Sequence, residues 1–221
     1  TGNFINDGTI AVVGDRALGV GLQDVTGNVR LAGTIGVQGV DAIGPRLAGN
    51  VTGSLVVQGN LTSTGYRFTT PPADPSKLDA DDLLVGGNVL SVEGNVTGGI
   101  ILAVAPKDTK PDDKDEDKDG IDDDKEGNAV VRSFGSAAAI RIGSADRAVT
   151  IGAVPGTGTG LGFIIDGAVS ISNEHGLTVW DDTEESEDRN LYYLPWASIV
   201  RVQIESPRPV AEEKENRAWV V

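Results

Sequence analysis

One repeat constrains this chain more than any other feature. Gly-Asn-Phe at Gly2 returns as Gly-Asn-Val at Gly27 and as Gly-Ser-Leu at Gly53. Gly-Thr-Ile at Gly8 returns at Gly33 and, as Gly-Asn-Leu, at Gly59. Ala17-Leu-Gly-Val-Gly-Leu22 returns as Ala42-Ile-Gly-Pro-Arg-Leu47. The period is about 25 residues, within the range of stacked repeat architectures. Within each period, short Val/Ile/Leu runs alternate with Gly, Asn, Asp and Thr turn clusters, and no helical periodicity intervenes. The expected unit is one coil of a parallel β-helix, and the expected fold class is all-β. Alternation sends Ile10 with Val12, Val20 with Leu22, Val29 with Leu31, and Ile35 with Val37 inward. A single coil cannot bury its own apolar face, so stability must come from stacking. Gly is expected to supply positive-φ corners, and Asn of the Gly-Asn-Val steps to stack there as a ladder. The sequons beginning at Asn50, Asn60 and Asn95 read as corner residues rather than glycosylation acceptors.

Two insertions interrupt the repeat. Residues 68–85 hold Thr69-Thr-Pro-Pro-Ala-Asp-Pro75 and then Ser76–Leu84, a candidate capped helical turn. Gly94-Asn-Val-Thr-Gly98 then copies Gly49-Asn-Val-Thr-Gly53 and restores the coil. Residues 105–128 form the second, acidic insertion. Further coil strands are expected at Ala138–Ile142, Ala148–Ile151 and Leu161–Ile165. The solenoid thus spans residues 1–176. Beyond Gly176 the composition changes: Trp180, Trp196, Trp219, Tyr192 and Tyr193 all lie there. Residues 177–206 read as a small antiparallel sheet, and 207–221 as a loose charged tail. Three readings of that segment stay open: a native cap, a separate domain, and a foreign fusion.

Composition narrows the partners. A net charge of −15 argues against a nucleic-acid partner. The chain has no Cys, hence no disulfide framework and no thiolate metal site. No run of about 20 apolar residues offers a membrane segment. Met is absent and Thr1 falls inside a repeat, as expected of a piece excised from a larger parent. Gly156–Gly162 only loosely follows a dinucleotide-binding pattern and reads as a glycine turn. His175, the one histidine, lacks the setting of a catalytic triad and reads as structural. The aromatic residues Trp180, Tyr192, Tyr193 and Trp196 read as core packing rather than as a sugar platform.

The acidic insertion carries the one chemical pattern. Asp115, Asp117 and Asp119 are spaced by two, Gly120 follows, and Ile121, Asp123 and Glu126 complete D-x-D-x-D-G-x5-E. Alternate carboxylates can wrap a hard cation, Gly120 turns the chain, the Ile121 carbonyl adds a ligand, and Glu126 can add two. The expected cofactor is Ca2+, bound as weakly as about 10⁻⁴ to 10⁻³ M. Asp122 stands at the eighth position, where an apolar residue belongs in an EF-hand, and no amphipathic helix flanks the loop. The string is closer to the helix-free calcium loops of thrombospondin type 3 repeats. The bland alternative is a solvated acidic linker.

Together these stretches resemble a known family. Val25-Thr-Gly-Asn-Val29, Gly33-Thr-Ile35 and Gly49-Asn-Val-Thr-Gly53 are similar to the passenger region of bacterial autotransporters, particularly those of sphingomonad-type alphaproteobacteria. So are Leu78-Asp-Ala-Asp-Asp-Leu-Leu84, Gly94-Asn-Val-Thr-Gly-Gly-Ile100, and the acidic loop followed by Ser133-Phe-Gly-Ser-Ala137. The resemblance covers about residues 1–175. It implies a non-enzymatic adhesin or scaffold at the extracellular or outer-membrane surface of a Gram-negative bacterium. Its expected partners are a host-surface or glycan ligand and further copies of itself. Two other functions fit the same fold: a polysaccharide-degrading or tailspike-like enzyme, and a subunit of a filament or engineered assembly.

Overall fold

Short β-branched runs that end at glycine leave room for strands of three to five residues and a turn, and the chain folds accordingly. The structure, a computed structural model, describes residues 2–65, 86–118, 121–134, 137–143, 147–158, 160–172 and 202–204. Coil 1 holds β1 (Phe4–Asn6), β2 (Thr9–Val13) and β3 (Leu18–Leu22). Coil 2 holds β4 (Val29–Leu31), β5 (Thr34–Gln38) and β6 (Ile43–Leu47). Coil 3 holds β7 (Leu55–Val57), β8 (Asn60–Thr64) and β9 (Leu90–Val92). Coil 4 holds β10 (Ile100–Leu102), β11 (Val130–Phe134) and β12 (Ile140–Ile142). Coil 5 holds β13 (Phe163–Ile165), β14 (Ala168–Ser172) and β15 (Val202–Ile204).

Among the described residues each strand pairs in parallel with its counterpart one coil away, giving three five-stranded sheets. The first is β1-β4-β7-β10-β13, the second β2-β5-β8-β11-β14, the third β3-β6-β9-β12-β15. The chain is a three-sided parallel β-solenoid. Among the described residues no helix is long and apolar enough to cross a membrane.

The three sheets share one core. Phe4, Val29, Leu55, Ile100 and Phe163 stack in the first, and Ile10, Ile35, Leu61, Val131 and Val169 in the second. In the third, Leu47, Val92 and Ile142 stack. The middle coils are sealed: Leu31, Ile35, Leu55, Leu61, Leu102 and Ile140 have no exposed surface. Each such side chain contributes about 1.5–3 kcal/mol of transfer free energy.

The corners are built differently from expectation. Gly14 and Gly39 do hold positive φ, and Arg16 and Asp41 follow them in the left-handed region, so this turn repeats between coils 1 and 2. Gly33 and Gly59, however, are glycine because of what lies beneath them. A Cβ on Gly33 would stand 2.0 Å from the Gly8 carbonyl oxygen. The stacked backbones pass too closely there for any side chain.

The expected Asn ladder is present. The Asn28 N–H donates to Asn3 Oδ1 and the Ser54 N–H to Asn28 Oδ1, each at 2.9 Å. At another corner the Asn50 N–H donates to Asp24, the Asn95 N–H to Asn50, and the Thr150 N–H to Asn95. These side-chain oxygens satisfy corner amides that the strand ladders miss. Asn50 Oδ1 also accepts from Arg147 at 2.9 Å. Asn50→Ala leaves both donors without this acceptor, so it is expected to lower stability by about 1 kcal/mol, read as a fall in the urea midpoint.

Two strand expectations are corrected. Ala148–Ile151 is not a strand: Ile151 makes a single bridge to Val96. Of residues 177–206, expected as an antiparallel sheet, only Val202–Ile204 is described, and it adds to β12 in parallel. Alternation reports that one face is buried, whatever the direction of the neighbouring strand. Ser76–Leu84, His175 and the aromatic residues beyond it lie outside the described residues.

Candidate metal centre in the acidic insertion

The acidic insertion leaves the stack after β10 and returns at β11, and its base is closed. The Ala129 N–H donates to the Ala103 carbonyl at 2.8 Å, and the Ala105 N–H to Asn128 Oδ1 at 2.9 Å. Beyond the base, three elements give the loop its shape. Lys118, at φ 59°, turns the chain back, and its N–H donates to the Asp115 carbonyl at 3.2 Å. The Asp123 N–H donates to the Lys114 carbonyl at 2.7 Å. A 3-10 turn over Asp123–Lys125 then carries the chain to Glu126. Ile121, 2 % exposed, is buried outside the contiguous coil core.

This fold gathers the carboxylates of Asp108, Asp123 and Glu126. One oxygen from each lies within 4.8 Å of the other two. Asp123 and Glu126 were expected from the motif, whereas Asp108 lies upstream of it and has no spacing signal. Asp115 and Asp117 do not join a three-carboxylate group among the described residues. Asp119 and Gly120 lie outside the described residues. The side chain turned onto the loop is Glu116, between the two aspartates. It accepts from the Thr109 hydroxyl, the Thr109 N–H at 2.7 Å and the Lys110 N–H at 2.9 Å. Its own N–H donates to Asp123 Oδ1 at 3.1 Å.

The electrostatics follow from these contacts. The Thr109 hydroxyl, and next the Thr109 N–H, pull the Glu116 carboxyl from 4.5 down to about 2. A pKa depressed on folding means that this contact contributes fully above about pH 4.5 and is lost as the pH falls through about 2. The Thr109 and Lys110 amide protons are therefore expected to titrate near pH 2 in NMR spectra, rather than near 4.5. A midpoint near 4.5 would remove Glu116 from this contact. Lys125 pairs with Asp122 at 2.8 Å. Their hydrogen bond holds the Asp122 carboxyl below its ordinary range and raises the Lys125 ammonium.

The donor set suits a hard divalent cation. All three groups are carboxylates, with no nitrogen or sulfur, which favours Ca2+ or Mg2+ over Zn2+. Two unit charges 4 Å apart repel by about 1 kcal/mol in water and by more near a protein surface. A bound cation converts that repulsion into attraction.

No family model matches this chain, and neither does any curated protein or solved structure. Fold and cluster together define the class: a three-sided parallel β-solenoid with a closed acidic insertion at one corner.

Proposed function

We propose that this chain is a non-enzymatic β-solenoid scaffold or adhesin, displayed at or released from the surface of a Gram-negative bacterium, with Ca2+ held in its acidic insertion. One observation carries the calcium part: Asp108, Asp123 and Glu126 converge within 4.8 Å in a loop whose base is closed. The scaffold part is supported by the unbroken stack and its sealed core. The partner this reading calls for is a host-surface or glycan ligand.

The enzyme alternative needs isolated carboxylates on successive coils, since paired carboxylates do the work of glycoside cleavage. None of the described strands carries Asp or Glu. Glu93, just past β9, is engaged with Arg46 through two hydrogen bonds of 2.8 Å. This observation favours the scaffold.

Calcium titration by calorimetry tests the reading. Saturable binding is expected with Kd of about 10⁻⁴ to 10⁻³ M. An Asp108→Ala, Asp123→Ala variant is expected to lose it, and Asp117→Ala to keep it. A parent chain that binds no calcium reduces the insertion to an acidic linker.

A further inference from the structure

Glu126 is gripped from outside the insertion. Gln58, at the corner just past β7, is 3 % exposed, and its Nε2 donates to Glu126 Oε1 at 3.2 Å. Arg30, on β4, donates to Gln58 Oε1. A guanidinium has no acceptor, so it fixes the amide with its oxygen toward Arg30 and its NH2 group toward the carboxylate. The insertion also returns close to this corner, because a Cβ on Gly127 would lie 3.1 Å from the Gln58 carbonyl oxygen. The matching corner positions one coil away on either side are Ala32 and Ala103, whose N–H groups make the same inter-coil bond as that of Gln58. Their methyl groups cannot reach a loop. Gln58 is thus a long, buried, polar side chain where the neighbouring coils have a short apolar one.

We infer that Gln58 is the positioning residue of the carboxylate cluster and, with Arg30 behind it, couples ion binding in the insertion to the folding of coils 2 and 3. This rests on the metal reading above. Gln58 touches no ion. It acts through Glu126, holding Oε1 and so fixing where that carboxylate stands beside Asp108 and Asp123. Partners of this kind, one step behind a ligand, typically change metal affinity by about 10- to 100-fold. Coupling is reciprocal, so an ion held through Gln58 also stabilises the coils that carry it.

The test uses the full chain, calcium chloride as the probe, and two readouts: affinity by calorimetry, and melting temperature in chelator and in calcium. Gln58→Met keeps the bulk and removes the hydrogen bonds. It is expected to weaken calcium binding about 10-fold or more and to shrink the calcium-induced rise in melting temperature. Arg30→Met leaves the amide free to flip and is expected to fall between Gln58→Met and the parent. A Gln58→Met chain that melts lower in chelator yet binds calcium as the parent does overturns this inference alone, since Gln58 is then only structural. A parent chain without saturable binding overturns the metal reading, and this inference with it.

Discussion

Gly59→Ala is expected to abolish cooperative folding of the solenoid. The added methyl carbon would sit 1.9 Å from the Gly33 carbonyl oxygen and 2.6 Å from the Ala32 carbonyl carbon. These are backbone atoms of the next coil, so no rotamer change relieves the overlap. Coil 3 must lift off coil 2, which breaks the inter-coil hydrogen bonds from Gly59 to Leu31 and from Asn60 to Gly33. The expected loss exceeds about 4 kcal/mol, the scale of exceptional single substitutions, against a total stability of about 5–15 kcal/mol for an ordinary domain. Circular dichroism on heating checks it. Gly8→Ala is the control: a Cβ at Gly8 meets nothing within 4 Å, and its melting temperature should stay near that of the parent. A Gly59→Ala chain that melts like the parent would mean that coils 2 and 3 do not stack in this register.

Leu61→Ala has the second-largest expected effect. Leu61 is fully buried between Ile35 and Val131 in the second sheet. Removing its side chain is expected to cost about 2–5 kcal/mol, part lost transfer energy and part cavity. Each coil of a stack touches only its neighbours, so damage in coil 3 also weakens the link between coils 1–2 and coils 4–5. The urea transition should move to a lower midpoint and broaden, as the two halves begin to unfold separately. Val13→Ala, at a residue 78 % exposed, should leave both midpoint and slope unchanged.

The first two coils were legible because their corners recur at a fixed interval and their apolar residues alternate. The inward positions of Val29, Leu31, Ile35 and Val37 follow from that pattern alone and are buried in the structure. The reason for the glycines was not legible. A glycine under a crossing backbone and a glycine at positive φ look the same in a sequence: Gly33 and Gly39 both lie against the backbone of the coil below, and only Gly39 also has positive φ. The direction of Val202–Ile204 was hidden for a similar reason, since burial on one face does not depend on the orientation of the neighbouring strand. The carboxylate cluster was half legible. Motif spacing pointed to Asp123 and Glu126, yet it assumed that the whole Asp series wraps inward. Glu116 instead takes the Thr109 and Lys110 amides, and among the described residues Asp115 and Asp117 join no such group. Asp108 carries no spacing signal, and Gln58 lies 68 residues from the carboxylate that it holds.

The closed base of the acidic insertion has a consequence of its own. Ladder bonds join a backbone N–H to a side chain 25 residues away at one corner, and 45 and, across the acidic insertion, 55 residues away at another, yet the strands keep register throughout. The stack does not sense how much chain lies between one rung and the next, provided the ends meet as Ala103 and Ala129 do. Each corner is thus a socket. A segment of other length and chemistry can be exchanged there while the sealed column continues unchanged, so display can diversify without renegotiating the fold.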